Sequence, residues 1–362
     1  MADASLETAR KLVLDYGWNS TCYQILNPGI ERWFAPSGRA VVGFVQRKGV
    51  RVVAGAPVCP EEDLEKVVRL WEEEAHRAGH RVCYFGAEGR MRRLLQDRPG
   101  YSTVSLGAQP NWNPQDWGGI FDHDKMLRAQ RNRAANKGVE VHEWACSVAS
   151  NNKELRRCLR EWLRTRGLPP MHFLVEPETL ECLEGRRVFV AQRKGRPVGF
   201  LVLSPVPERN GWLTEQFPRG FRAPNGTVEI LMDTAIRAVA ASGSEYVTMG
   251  IVPLSHHGLP STMPNPAWLK LLTGWVRAHG RRFYNFDGLD SFKSKFRPQD
   301  WEPIYVISKE DRFSFGTLYA IAAAFSDGSP VWAVLRGLGR AIRQEILWIG
   351  AQIHKPKQPG RR

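Results

Sequence analysis

No run of this 362-residue sequence is apolar for long enough to span a bilayer as a helix. The sequence has no Gly-x-x-x-x-Gly-Lys phosphate loop and no Gly-x-Gly-x-x-Gly after a strand-like run. No Ser/His/Asp or Cys/His set stands at a telling spacing. These absences disfavour a nucleotide-dependent motor and a nucleophile-driven hydrolase. Cysteine is sparse: Cys22, Cys59, Cys83, Cys146, Cys158 and Cys182 are scattered, with no close pair. That distribution points to free, buried thiols in a reducing compartment, and away from disulfides or a zinc site. The one histidine pair, His256-His257, has no partners at a metal-ligand spacing. Residues 1–15 pattern as an amphipathic helix with acids, unlike a signal peptide. The expectation is a cytoplasmic protein, soluble or peripheral on the inner membrane face, with no metal and no bound cofactor.

Positive charge is what the sequence has in excess. Its 51 Lys and Arg against 37 Asp and Glu give a net charge of +14. That balance favours a polyanionic partner: nucleic acid, a phosphorylated ligand or an anionic membrane surface. A hydrophobic content of 43% with 24% charged residues describes a globular chain, and its length suits two domains.

Residues 40–45 and 50–54 read as a hairpin around Gln46-Arg47-Lys48-Gly49, followed by a helix to Gly79 and a strand at 81–85. The same order recurs later. Strands at 187–191 and 198–203 flank Gln192-Arg193-Lys194-Gly195, with a helix at 227–241 and a strand at 246–249 after them. The shared turn and shared order point to an internal duplication of mixed α/β (α+β) units, sheets with helices packed on them. Residues 207–223 are an extra segment of the second copy.

Four stretches could carry chemistry. Between the copies, 125–138 reads as a basic helix closed by Asn-Lys-Gly. Its Arg128, Arg131 and Lys137 suit a phosphate-facing stripe or a solvated linker. The loop at 219–229 contains Arg222, Asn225, Gly226 and Thr227 and opens a helix, a place where backbone N–H groups bind anions. Asn225 or Thr227 can cap that helix, and Glu229 falls in its first turn, either complementing the dipole or serving in a cleft. The segment from Gly250 to Ser255 follows a strand, where α/β sheets place substrate contacts. The fourth stretch, Phe286-Asp287-Gly288 through Phe292-Lys293-Ser294-Lys295-Phe296-Arg297-Pro298, places Phe292 and Phe296 on one helical face. Lys293 and Arg297 form a cationic stripe beside them. The run is either an amphipathic turn seating two Phe or a device aiming cations at an anionic substrate. Toward the C-terminus, residues 331–350 pattern as an amphipathic helix with Arg336, Arg340 and Arg343, suited to a membrane interface or to packing on the protein itself.

These stretches together resemble the C-terminal catalytic domain of the phosphatidylglycerol lysyltransferase (aminoacyl-phosphatidylglycerol synthase) family. The carrying residues are the Arg- and Asn-rich helix 128–138 with Val139-Glu140-Val141, the run Ala223-Pro224-Asn225-Gly226-Thr227-Val228-Glu229, and Met249-Gly250-Ile251-Val252-Pro253-Leu254-Ser255. The segment Phe292 to Pro298 with Trp301-Glu302-Pro303-Ile304-Tyr305 is the most specific. The resemblance covers roughly residues 20–310. It implies two tandem acetyltransferase-like (GNAT) units and transfer of an aminoacyl group from aminoacyl-tRNA to a lipid hydroxyl, with no metal. The family's multi-spanning N-terminal region is absent from this sequence. Arg222 with Gly226 is similar to the phosphate loop of CoA-dependent acetyltransferases, but its glycine spacing differs.

The units are expected at 1–124 and 151–311, joined by 125–150 and followed by a basic tail at 312–362. Asp287 or Glu229 would orient the donor's amino group or deprotonate the acceptor. Lys293, Lys295 and Arg297 would hold phosphate or an oxyanion, and Arg128, Arg131 and Lys137 the tRNA acceptor end or headgroup phosphates. An acyl-CoA- or acyl-carrier-dependent N-acyltransferase, and a non-catalytic membrane- or RNA-binding protein on the same scaffold, are the alternatives.

Overall fold

The two Gln-Arg-Lys-Gly segments make the same tight turn. In a computed structural model of the chain, Lys48 and Gly49 have φ of 50° and 73°, and Lys194 and Gly195 have 52° and 71°. Two consecutive left-handed residues give a two-residue hairpin loop the twist of its strands. The structure describes residues 4–165, 172–255, 257, 265–279 and 286–326, with only the backbone described for 275–279 and 286. The expected tail helix at 331–350 lies outside the described residues, as does His256.

In the first half, α1 (Ala4–Tyr16) precedes β1 (Glu31–Phe34), β2 (Val41–Arg47) and β3 (Val50–Ala54). The crossover helix α2 (Leu64–Arg77) then leads to β4 (Arg81–Ala87), which pairs parallel to β3. Next come α3 (Gly89–Leu95), β5 (Ser102–Trp112), α4 (Trp117–His123) and α5 (Lys125–Ala135). The second half starts with β6 (Val139–Trp144), α6 (Cys146–Ser150) and α7 (Lys153–Arg164). It continues with the strands β7 (Arg187–Arg193), β8 (Arg196–Val206) and β9 (Gly211–Gln216). The helix α8 (Thr227–Ala241) crosses to β10 (Tyr246–Thr248), parallel to β9. The described chain ends with β11 (Val252–Pro253), α9 (Ala267–His279), α10 (Phe286–Ser294), β12 (Asp300–Ser308) and α11 (Phe315–Phe325).

Among the described residues these strands form one 12-stranded mixed sheet in the order β1-β2-β3-β4-β12-β5-β10-β9-β8-β7-β6, with β11 on β5. Alternation along each strand feeds a core on either face. Val41 and Val45 of β2 pack with residues of α1 and α11, and Val42 and Phe44 with α2. In the second half, Phe189 and Leu201 meet α8, while Val188, Val190 and Phe200 meet α7. This is the α/β class expected, with helices on a mixed sheet in each half.

The repeat is offset by one strand. In the first half the Gln-Arg-Lys-Gly hairpin runs straight into the crossover, so β3 flanks β4. In the second, the supposed extra segment supplies β9, which takes the place beside β10 and leaves the β7–β8 hairpin one strand farther out. The tetrapeptide marks shared turn chemistry, not equivalent positions.

Strand β12 comes from residues that the sequence reading placed in the second unit. It lies between β4 and β5 and pairs antiparallel with both, and β5 pairs with β10. One sheet therefore runs unbroken from half to half. Its middle, where β12, β5 and β10 meet, carries the site.

Candidate active site at the middle of the sheet

Two phenylalanines anchor α10, as their spacing predicts. Phe296 is fully buried, stacked on Trp117 with centroids 6.3 Å apart, and its carbonyl accepts from the Trp112 indole N–H at 3.1 Å. Phe292 packs against Phe296 and Phe217. The helix stops at Ser294, and Arg297 turns to a left-handed φ of 54°. The continuous stripe expected of Lys293 and Arg297 therefore does not form, and the three cations diverge.

Lys293 turns inward and is only 4% exposed. Its ammonium donates to the carbonyls of Met249, Gly250 and Ile251 at 2.6, 2.9 and 3.1 Å. All three protons are thereby engaged. Burial pushes its pKa down to about 7, against the opposing pull of the Asp290 carboxylate. The residue holds the loop after β10, where the sequence reading had it holding phosphate or an oxyanion.

Lys295 turns toward α8. It donates to Glu229 Oε1 at 2.8 Å and lies over the Phe292 and Phe296 rings at 4.1 and 4.9 Å. Glu229 occupies the first turn of α8, where the helix dipole favours a carboxylate. Arg297 instead reaches Asp124 at 3.0 Å, and Asp124 caps α5 by accepting from the N–H groups of Met126 and Leu127.

The basic helix α5 is also divided. Arg131 is bound through Nη1 to Asp233 at 3.0 Å and Asp122 at 3.2 Å, in a group that includes Arg237 and the Trp117 indole. Arg128, and Lys137 just past the helix, stand exposed. In the loop before α8, Arg222 and Asn225 are exposed. Gly226 is itself the cap residue, with φ of 92°, and a Cβ there would lie 1.9 Å from the Gln130 carbonyl oxygen of α5. The buried Thr227 hydroxyl donates to the Pro224 carbonyl at 2.7 Å. Neither Asn225 nor Thr227 caps α8 as expected, because the α5 backbone packs directly against its start.

The loop after β10 has φ of 71° at Gly250 and 59° at Leu254, and it ends with Ser255 Oγ donating to Asp290 Oδ1 at 2.8 Å. Half-buried Asp287 sits one turn before Asp290 on α10. The structure thus joins Glu229 to Lys295 and fastens the Gly250–Ser255 loop to α10 at two points. It pairs Arg131 with Asp122 and Asp233, and Arg297 with Asp124.

Residues 10–308 match the sequence model of the family described as phosphatidylglycerol lysyltransferase, C-terminal. The chain belongs to this family. It is similar to the phosphatidylglycerol lysyltransferase of Bacillus subtilis (strain 168), 23% identical over 293 residues, which are 80% of this chain and 33% of that protein. The chain therefore spans about a third of the length of that relative. Its fold is similar to the C-terminal domain of a putative lysylphosphatidylglycerol synthetase from Agrobacterium fabrum, with a TM-score of 0.73 at 22% identity, covering 90% of this chain and 98% of the other. The L-PGS structure from Bacillus licheniformis gives a TM-score of 0.71 at 21% identity, covering 88% and 95%.

In this member of the lysyltransferase C-terminal family, sequence reasoning missed two clusters. The first gathers His257 and Trp301 beside Asp290; the three-residue spacing of Asp290 and Lys293 on a helix was the available signal. The second forms on the opposite face of β12, because Trp301 and Glu302 are adjacent in the strand. There Gln109 donates to Glu302 at 2.9 Å, to Tyr246 at 3.2 Å and to Glu88 at 3.1 Å. Arg209 pairs with Glu302 and lies 3.5 Å from the Tyr246 ring centroid. Burial raises the Glu88 pKa, while Arg209 and the Gln109 and Tyr246 donors hold Glu302 low despite its burial. This network ties β5, β10 and β12 to Glu88 at the exit of β4, around a fully buried Gln109 whose burial the sequence does not show.

Proposed function

We propose that the chain transfers an aminoacyl group from aminoacyl-tRNA to the hydroxyl of an anionic glycerophospholipid such as phosphatidylglycerol. The carrying observation is the family match over residues 10–308, which contains every element of the mid-sheet site. In the transfer, the acceptor oxygen attacks the ester carbonyl carbon, a new ester C–O bond forms and the bond to the tRNA ribose oxygen breaks. No covalent enzyme intermediate is needed.

Glu229 is the residue for the donor's α-ammonium, and Asp287 lies on the same helix as Lys293 for that role or for the acceptor. Lys295, steadied by two aromatic faces, is the cation for an acceptor phosphate or the developing oxyanion. Exposed Arg128 and Lys137 offer contacts for polynucleotide or headgroup phosphates. The acyl-CoA alternative draws less support: the start of α8, where its phosphate loop would form, abuts Gln130 of α5.

The test is incubation of the purified chain with aminoacyl-tRNA carrying labelled amino acid and with phosphatidylglycerol vesicles. Label is expected in the chloroform-soluble fraction. Label appearing there only with an acyl-CoA donor would replace the donor; label from neither would remove the reading.

A further inference from the structure

His257 has no role in the transfer described so far, yet three contacts fix it at the edge of the same loop. Its backbone N–H donates to Ser255 Oγ at 3.2 Å. Its ring stacks on Trp301 of β12, with centroids 4.3 Å apart and planes 17° from parallel. Its Nε2 lies 3.4 Å from Asp290 Oδ2, and the other oxygen of that carboxylate is held by the Ser255 hydroxyl at 2.8 Å. A carboxylate facing Nε2 selects the tautomer that carries its proton there, which leaves the basic lone pair on Nδ1. The side chain remains 45% exposed, so the imidazole is within reach of solvent.

This is the arrangement of an oriented base: a histidine, a carboxylate behind it and a hydroxyl fixing the carboxylate. The charged groups facing it from α10 include Asp290 and, behind Asp290, Lys293. Trp301 from β12 contributes an uncharged face. Lys293 holds the loop backbone at 249–251, and Ser255, two residues before His257, fastens the loop end to Asp290.

We infer that His257 is the general base of the transfer, taking the proton of the acceptor hydroxyl as that oxygen attacks the aminoacyl ester. The imidazolium then gives the proton to the departing ribose oxygen, so the base is regenerated and the proton count closes. Asp290 acts through His257 and is a positioning residue. The inference rests on the aminoacyl-transfer reading and deepens it.

The experiment compares wild type, His257→Ala and His257→Gln in the same transfer assay, with aminoacyl-tRNA binding followed separately. Gln keeps a donor toward Asp290 but has no basic nitrogen. Both variants are expected to lose roughly 10²–10⁴-fold in transfer rate, the usual worth of a positioned base. Donor binding should stay at the wild-type level. Added imidazole is expected to restore rate to His257→Ala, where it can fill the vacated position, and not to His257→Gln. A purely structural histidine would not give that rescue. If the wild type labels no lipid, the transfer reading itself falls. If the wild type labels lipid and either variant keeps a rate within about threefold of it, or His257→Ala shows no rescue while binding donor normally, the assignment of His257 is overturned and the transfer reading stands.

Discussion

With three carbonyls on one ammonium, Lys293 ties residues 249–251 to α10, and Lys293→Met leaves those acceptors without donors. The pH dependence separates this role from a surface charge. Folded Lys293 titrates near 7 against an ordinary lysine value of 10.5, so between those values the unfolded chain binds the extra proton. Stability contributed by this site therefore rises with pH across that window. Relative to Lys293→Met, the wild-type denaturation midpoint should climb from pH 7 toward 10.5. Parallel curves would show that the three carbonyls offset the burial and keep the ammonium protonated. Glu229 carries a different expectation. Glu229→Gln keeps the size and one acceptor for Lys295 but loses the charge that would hold the donor's ammonium, so transfer should drop by roughly 10–10²-fold with little change in melting temperature.

At the scale of elements, the contact between α5 and α8 leaves no room at Gly226. Gly226→Ala combines a left-handed backbone with a Cβ placed 1.9 Å from a carbonyl oxygen. A loss of about 2 kcal/mol or more is expected in denaturant unfolding; a neutral result would mean that the helices are not packed this way. The Asp124 clasp is testable by acid. Hydrogen bonds from the Leu127 N–H, then from Arg297, hold the Asp124 carboxyl below its ordinary value of 3.8. Its contribution is present above that value and is lost as pH falls through the lower folded value. Asp124→Ala should cost about 1 kcal/mol at neutral pH and show a shallower acid limb than the wild type; an unchanged limb would count against the clasp.

These elements also show how far the sequence could be read. The hairpins, α2, α8 and the Phe292–Phe296 anchor follow from local periodicity and turn chemistry, and all are present. The stripe of Lys293 with Arg297 assumed that the helix runs on. Instead the chain leaves the helix as Trp112 and Trp117 capture Phe296, partners more than 170 residues away in sequence. Strand β9 is set by neighbours on both sides, β8 and β10, and not by its own pattern. Asp290 stood in the sequence beside Asp287, but the reason to prefer it arises only when the loop after β10 brings Ser255 and His257 to it.

On the scale of the whole molecule, β12 closes the first half's sheet with a strand from the far end of the chain, and β5 joins that sheet to β10. Two halves sharing one sheet should unfold together, so circular dichroism and tryptophan fluorescence are expected to report one coincident thermal transition. Two separated transitions would mean that the halves are independent. The net charge of +14 gives polynucleotide binding a strong dependence on salt. Whether that charge serves aminoacyl transfer is decided most directly by following labelled amino acid from tRNA into phosphatidylglycerol, with wild type and Glu229→Gln side by side. The account predicts lipid-bound label with the wild type and a collapse of the rate with Glu229→Gln at unchanged folding. Label that never leaves the tRNA, or that moves equally fast with both proteins, would contradict it.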